Sequence, residues 1–188
     1  MSWYSEQLSN RNYLSPIGFK FLIDKAKKVS FLCQKASIPT FSISNLRVNT
    51  PGFVTLPVAD GQPTFGDLLI EFVVDEDLRN YMQIHNWMRA MSTPDNYDER
   101  FDWIDNEGSP NKNNRLERDR AFISDCNLMV LNNNNLTNFE VKFRDVFPIE
   151  LSSLPFDVTR SDNDFFTATA TFKYTYYEIV NTNTSVRR

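Results

Sequence analysis

A mainly β fold, an antiparallel β-barrel or sandwich carrying one packed α-helix, is what this sequence predicts. Three observations lead there. Apolar and polar residues alternate with a period of two in several separate runs, the pattern of strands with one face against a core. One stretch, Leu78 to Met91, switches to three- and four-residue spacing. The closing run Phe165 to Val180, FFTATATFKYTYYEIV, alternates for longer than a lone domain of this size needs. In it Phe166, Ala168, Ala170, Phe172, Tyr174 and Tyr176 share one face, and Thr167, Thr169, Thr171, Lys173 and Thr175 share the other. So long a strand suits an assembly that continues a sheet across subunits.

Residues 1–16 read as an N-terminal arm, 17–180 as one β domain, and 181–188 as a flexible tail. Phe19, Phe21 and Ile23 alternate with Lys20, Leu22 and Asp24 in a first strand. A charged link from Lys25 to Lys28 precedes Val29, Phe31 and Cys33, which alternate in a second strand. So short a link draws the two as a hairpin. In residues 41–63, Val54, Leu56 and Val58 share one side, with Phe53 and Thr55 on the other. Pro51-Gly52 and Pro57 interrupt the run, and Asp60-Gly61-Gln62-Pro63 is a turn. A protruding loop or hairpin is the expectation, with two ordinary strands folded back on the sheet as the alternative.

Leu68, Ile70, Phe72 and Val74 mark the next strand, over Asp67 to Val74. A helix over 75–92 follows, with Asp75 as N-cap and Glu76 and Asp77 in its first turn. Its predicted core face is Leu78, Tyr81, Ile84, Trp87 and Met88, and Pro94 stops it. It is expected to be the one substantial helix. Residues 94–120 read as a long, charged, asparagine-rich loop, partly docked through Tyr97, Phe101, Trp103 and Ile104. Strands resume from Ala121 to Leu131, turn at Asn132 to Asn135, and continue through Phe139, Val141 and Phe143. Phe147-Pro148-Ile149 reads as a connector to the final strand.

The composition, 41% hydrophobic and 14% aromatic over 188 residues, is that of a folded chain. A net charge of -4 gives no basic footprint for gripping nucleic acid. Cys33 and Cys126 lie in alternating apolar runs and read as buried free thiols, with a disulfide between them as the alternative. The lone histidine, His85, sits on the predicted helix and reads as structural. No Cys/His spacing suits zinc, and no phosphate loop, nucleophile elbow or calcium loop occurs. The pairs Asp75/Asp77, Asp98/Glu99, Asp102/Asp105 and Asp162/Asp164 read as caps and solvated turns. Arg115, Arg118 and Arg120 are offset by Glu117 and Asp119. The expectation is a protein without catalysis, cofactor or metal. No apolar stretch approaches 18 residues, and the opening MSWYSEQLSNRN lacks a signal peptide's regions. A soluble product made in a cytoplasm, with no membrane partner, is expected.

Three stretches in order carry a resemblance to a known family. Phe19-Lys20-Phe21 leads through Phe31-Leu32-Cys33-Gln34-Lys35-Ala36-Ser37-Ile38-Pro39. Leu69-Ile70-Glu71-Phe72-Val73-Val74-Asp75-Glu76-Asp77 precedes Tyr81 and Trp87. Phe147-Pro148-Ile149 precedes the closing Phe165-to-Val180 strand. In that order they resemble the tail-tube proteins of contractile-tailed bacteriophages of the T4 type, a group that includes baseplate proteins that initiate the tube.

What the resemblance implies is a structural subunit of the virion. Such subunits form stacked hexameric rings whose sheets join around a DNA channel, with sheath, baseplate and tape-measure proteins as partners. DNA then passes without sequence-specific binding, and Thr167, Thr169, Thr171, Lys173 and Thr175 are expected at a subunit boundary or the lumen. Phe53, Val54, Thr55, Leu56 and Trp103 are expected at ring-to-ring contacts. The chain departs from the family in having five glycines, an asparagine-rich 106–114 segment and residues beyond Val180. These make a tube-initiator or terminator ring a rival to the main tube subunit. A tube-like protein of type VI secretion and a small carbohydrate- or nucleic-acid-binding β domain are the further alternatives.

Overall fold

The computed structural model describes residues 14, 16–49, 55–58, 61–93, 95–106, 120–157 and 165–182. In chain order these form β1 (Phe19–Ile23), α1 (Lys27–Phe31), β2 (Cys33–Ala36), β3 (Phe41–Ile43), β4 (Leu46–Asn49), β5 (Thr55–Val58), β6 (Pro63–Phe65) and β7 (Leu68–Val73). Then come α2 (Arg79–Ser92), α3 (Asp98–Asn106), β8 (Ser124–Leu131), β9 (Thr137–Leu151), β10 (Thr167–Lys173) and β11 (Tyr176–Asn181). A seven-stranded antiparallel sheet runs β1-β8-β9-β10-β7-β2, with β11 also paired to β9. Two short ladders, β3–β6 and β4–β5, stand apart from it.

The sheet is antiparallel as expected, but among the described residues it does not close into a barrel: β11, paired with β9 alone, forms one edge, and β1 and β2 end the strand order. The predicted hairpin between them is absent for a local reason. Ala26 and Val29, three apart, are both fully buried, so the link winds as α1 and leaves Phe31 87% exposed. The Ile23 N–H donates to Ser30 Oγ at 3.0 Å, so α1 caps the border of β1. β1 therefore pairs with β8, and β2 with β7.

The long closing strand is two strands with a bend at Tyr174–Thr175. Both lie along β9, β10 against Phe147–Leu151 and β11 against Phe139–Arg144. β9 bends at the same level, where Asp145 takes a left-handed φ of 57° and β8 loses register between Ser124 and Cys126. One extra residue in a paired strand is a bulge, and a bulge turns a sheet through a corner. The bend also changes parity: Tyr176 turns outward and Tyr177 replaces it on the apolar side.

Pro148, expected in a connector, lies inside β9. β8 reaches only to Val146, so beyond it that flank of β9 has no partner strand among the described residues. A missing N–H there forfeits no ladder bond.

The core gathers Phe21, Ile23, Ile70, Phe72, Leu128, Val141, Phe143 and Phe172 inside the bent sheet, with Ile84 and Trp87 of α2 packed onto them. Helix α2 starts at Arg79, later than the expected 75, because Leu78 adopts φ 58°. Asp75 and Asn80 lock that corner: the Asn80 N–H donates to Asp75 Oδ1 at 3.0 Å, and the Asp75 N–H to Asn80 Oδ1 at 3.3 Å. Helix α3 occupies part of the expected loop. Asp98 and Glu99 favour its first turn, and Ile104 is buried beside Ala90, Ala121 and Phe122.

Candidate assembly surfaces

Period-two alternation in β10 buries Ala168, Ala170 and Phe172 and turns Thr167, Thr169 and Thr171 to the opposite face of the sheet. Register sets their neighbours. Thr167 pairs with Val73, Thr169 with Glu71, and Thr171 with Leu69 on one side and Glu150 on the other. Crowding by these longer side chains leaves Thr171 only 9% exposed. Lys35 Nζ bonds Glu71 Oε2 at 2.8 Å, and Lys173 pairs with Asp67. The face thus mixes hydroxyls, compensated charges and the half-exposed Leu69. Thr175 lies beyond it, in the bend, where its N–H donates to the Arg144 carbonyl at 3.0 Å.

The corner has its own electrostatics. Arg144 Nη1 lies 2.6 Å from Asp125 Oδ2, and the Asp145 N–H donates to Asp125 Oδ1 at 3.4 Å. The hydrogen bond to Asp125 also raises the Arg144 pKa. Beside it Tyr174 donates to the Gly66 carbonyl at 2.8 Å. Burial, reinforced by Tyr177, Asp67 and Cys126, pushes its hydroxyl up to about 12.

The expected hairpin over 41–63 takes the form of the β3–β6 and β4–β5 ladders. Aromatic packing roots it on the domain: Phe65 stands 5.3 Å from Phe41, 6.0 Å from Tyr174 and 5.5 Å from Tyr177 by ring centres. The Tyr177 hydroxyl donates to the Pro39 carbonyl at 3.4 Å. Phe41 and Ile43 stay more than half exposed. Thr55 and Leu56 pair with Asn49 and Val48, while Phe53 and Val54 lie outside the described residues. Trp103, expected at a ring contact, is partly buried and makes contacts within its own subunit. It stacks on Trp87 with planes 10° apart, and its Nε1–H donates to the Ala121 carbonyl at 2.9 Å.

Of the predicted helix core, Ile84 and Trp87 are fully buried, and Tyr81 and Met88 pack at its margin. Trp87 Nε1–H donates to the Phe122 carbonyl at 2.8 Å, and the Tyr81 hydroxyl to the Ser152 carbonyl at 3.0 Å. Leu78 precedes the helix. Asn80 was not among the predicted residues; its Nδ2 donates to the Val73 carbonyl at 2.7 Å, and its polarity hid its burial. Cys33 and Cys126 are both free thiols, and Cys33 is only partly buried. Among the described residues, no group of three or more His, Cys, Asp or Glu could hold a metal ion, and no helix is long and apolar enough to cross a membrane.

The sequence model of a family described as phage tail tube protein matches residues 6–180, and the chain belongs to that family. Solved structures share its fold. A chain of the PVC sheath–tube complex, an extracellular contractile injection system in the extended state, is 16% identical with a TM-score of 0.55, covering 91% of this chain and 93% of that one. A chain of the tube-terminating cap of the anti-feeding prophage is 15% identical with a TM-score of 0.54, covering 96% and 99%. A chain of the PVC sheath/tube terminator is 17% identical with a TM-score of 0.54, covering 90% and 99%. No curated protein matches the sequence. Family and neighbours are structural components of tubes, and the family places the chain in a phage tail.

Proposed function

We propose that this chain is the repeating subunit of a contractile phage tail tube, forming hexameric rings that stack around the DNA channel. Its partners in that reading are further copies of itself, the sheath, the baseplate and the tape-measure protein, met during assembly in the host cytoplasm. One observation carries it: a member of the tail tube family presents an antiparallel sheet in which β2 and β11 each have a flank without a partner strand among the described residues. An unpaired border exposes N–H and C=O groups that a neighbouring copy satisfies, and repetition of one such contact closes a ring.

In this reading the face bearing Thr167, Thr169, Thr171 and Lys173, with Thr175 beyond it, lines the lumen or a subunit boundary. The segment bearing Phe53, Val54, Thr55 and Leu56 meets the next ring. A net charge of -4 suits a conduit through which DNA slides. Native mass spectrometry of the purified chain tests the ring: a six-fold mass is expected, and monomer alone over the accessible concentration range would overturn it. The scarce glycines and the residues beyond Val180 support a second reading, a single initiator or terminator ring. Copy number per virion separates the two: many rings' worth for a tube subunit, one ring's worth for an end.

A further inference from the structure

Beside β2 lies an open groove of about 520 Å³, walled by Phe19 of β1, Ala36 of β2 and Leu69 of β7, with Pro16 on one side. That volume is within the roughly 300–1,000 Å³ of sites that hold a compact ligand. Its apolar walls are not closed over: Leu69 stays 48% exposed, and Phe19 and Ala36 are only partly buried. Among the described residues lining it, the two charges, Lys35 and Glu71, pair with each other at 2.8 Å. An occupant is therefore recruited by apolar surface and not by charge. The chain itself enters at this groove. Pro16 is part of the wall, so residues 1–13, which lie outside the described residues, are tethered to it. Their sequence, MSWYSEQLSNRNY, has two side-chain charges of opposite sign, Glu6 and Arg11, and an aromatic pair, Trp3-Tyr4. That pair precedes the stretch matched by the family model, which begins at residue 6.

We infer that this groove is the seat of the chain's own N-terminal arm, with Trp3 as its anchor. The segment from Trp3 to Pro16 spans about 40 Å when extended, ample for folding back onto a wall that it adjoins. Tethering also raises the local concentration of the arm far above that of a second molecule. An indole presents a large apolar body and one polar tip. Phe19, Ala36 and Leu69 suit the body, and Gln34 and Thr169 on the lining offer acceptors for its N–H. Docking through side chains takes up no backbone group of β2, so the outer flank of that strand is left as it stands. The consequence is protective: an exposed apolar slot invites unrelated chains, and the seated arm removes it. The inference holds whether or not the ring reading does.

Fluorine NMR of the full chain labelled with 5-fluorotryptophan tests it, since the chain has three tryptophans and Trp3→Phe identifies the first. In the unmodified protein the Trp3 resonance should stand apart from its position in urea and be shielded from a soluble paramagnetic chelate. Leu69→Asp, at a half-exposed position, should return it to the unfolded position while the Trp87 and Trp103 resonances keep theirs. Should that variant lose the Trp87 signal as well, Leu69→Ser gives the same reading with a smaller change. A Trp3 resonance at its unfolded position in the parent, or one that ignores both Leu69 variants, would overturn the inference. So would a displacement that vanishes on dilution, which places the arm in a neighbouring copy.

Discussion

Arg144 and Asp125 meet at 2.6 Å across the one level where β8, β9 and the β10–β11 path all change direction. Asp125 thereby holds the guanidinium of one bulge residue and the backbone N–H of the next, Asp145. Both side chains are 44% exposed, so water screens the pair. Asp125→Ala should leave the midpoint of chemical denaturation close to the parent's. The backbone at Asp145 is the stiffer element. Asp145→Val should cost about 1–2 kcal/mol, because a β-branched residue resists positive φ, while Asp145→Gly should be neutral or mildly stabilising. Equal effects of valine and glycine would mean that the corner is not held by that conformation.

Trp87 is fully buried, stacked on Trp103 and hydrogen-bonded to Phe122. Trp87→Ala should lower stability by about 3–5 kcal/mol. Trp103→Ala should cost less, since that ring is only partly buried. A loss below about 1 kcal/mol for Trp87→Ala in urea unfolding would show that α2 does not pack on the sheet.

Tyr174 supplies a pH dependence with a definite sign. Its folded pKa is raised from 10.0 to about 12, chiefly by burial. The neutral hydroxyl is therefore favoured by folding. Its contribution is complete below pH 10 and is lost as pH rises from 10 toward 12. Tyr174→Phe should unfold with a shallower alkaline limb than the parent over that interval. Parallel alkaline limbs would remove Tyr174 from the account of this corner.

The same sheet shields its thiols. Burial raises Cys33 from its ordinary 9.0 to about 11, which leaves roughly a hundredfold less thiolate at pH 8. Burial raises Cys126 as well, with Asp125 and Asp24 adding to it. Thiol-reagent labelling of the native protein should be slow at both positions and become rapid on unfolding. Fast native labelling of Cys126 would contradict its place in the core.

Within the proposed lumen face, the positions differ in what they tolerate. Thr167→Lys, at an exposed position, should leave the melting temperature within a few degrees of the parent. Thr171→Lys, at a crowded position, should lower it further. If this face meets DNA, Thr167→Lys in an assembled tail should slow genome release. Unchanged infectivity would move the face away from the channel.

The parts of the fold legible in the sequence are those where one face of an element is buried along its length. Leu68, Ile70 and Phe72, or Ala168, Ala170 and Phe172, state their strands without help from elsewhere. Short or context-dependent elements did not announce themselves. Val29, Phe31 and Cys33 alternate like a strand, and only the burial of Ala26 with Val29 makes the segment helical. Pro148 is admissible in β9 because β8 ends opposite Val146, a fact no local pattern carries. The bend after Lys173 follows from the Asp145 bulge on a different strand. The same holds for the candidate surfaces. Turn residues marked the hairpin, but whether an edge is open depends on which strand lies next to it, and aromatics such as Trp103 read alike whether they dock inward or outward.

Imaging the purified chain by negative-stain electron microscopy, at increasing concentration, tests most directly whether neighbouring copies complete this sheet. Rings or stacked tubes with a central hole are the expected result. Uniform compact monomers at every concentration, with the borders at β2 and β11 covered by the chain's own residues in a solved structure, would contradict it.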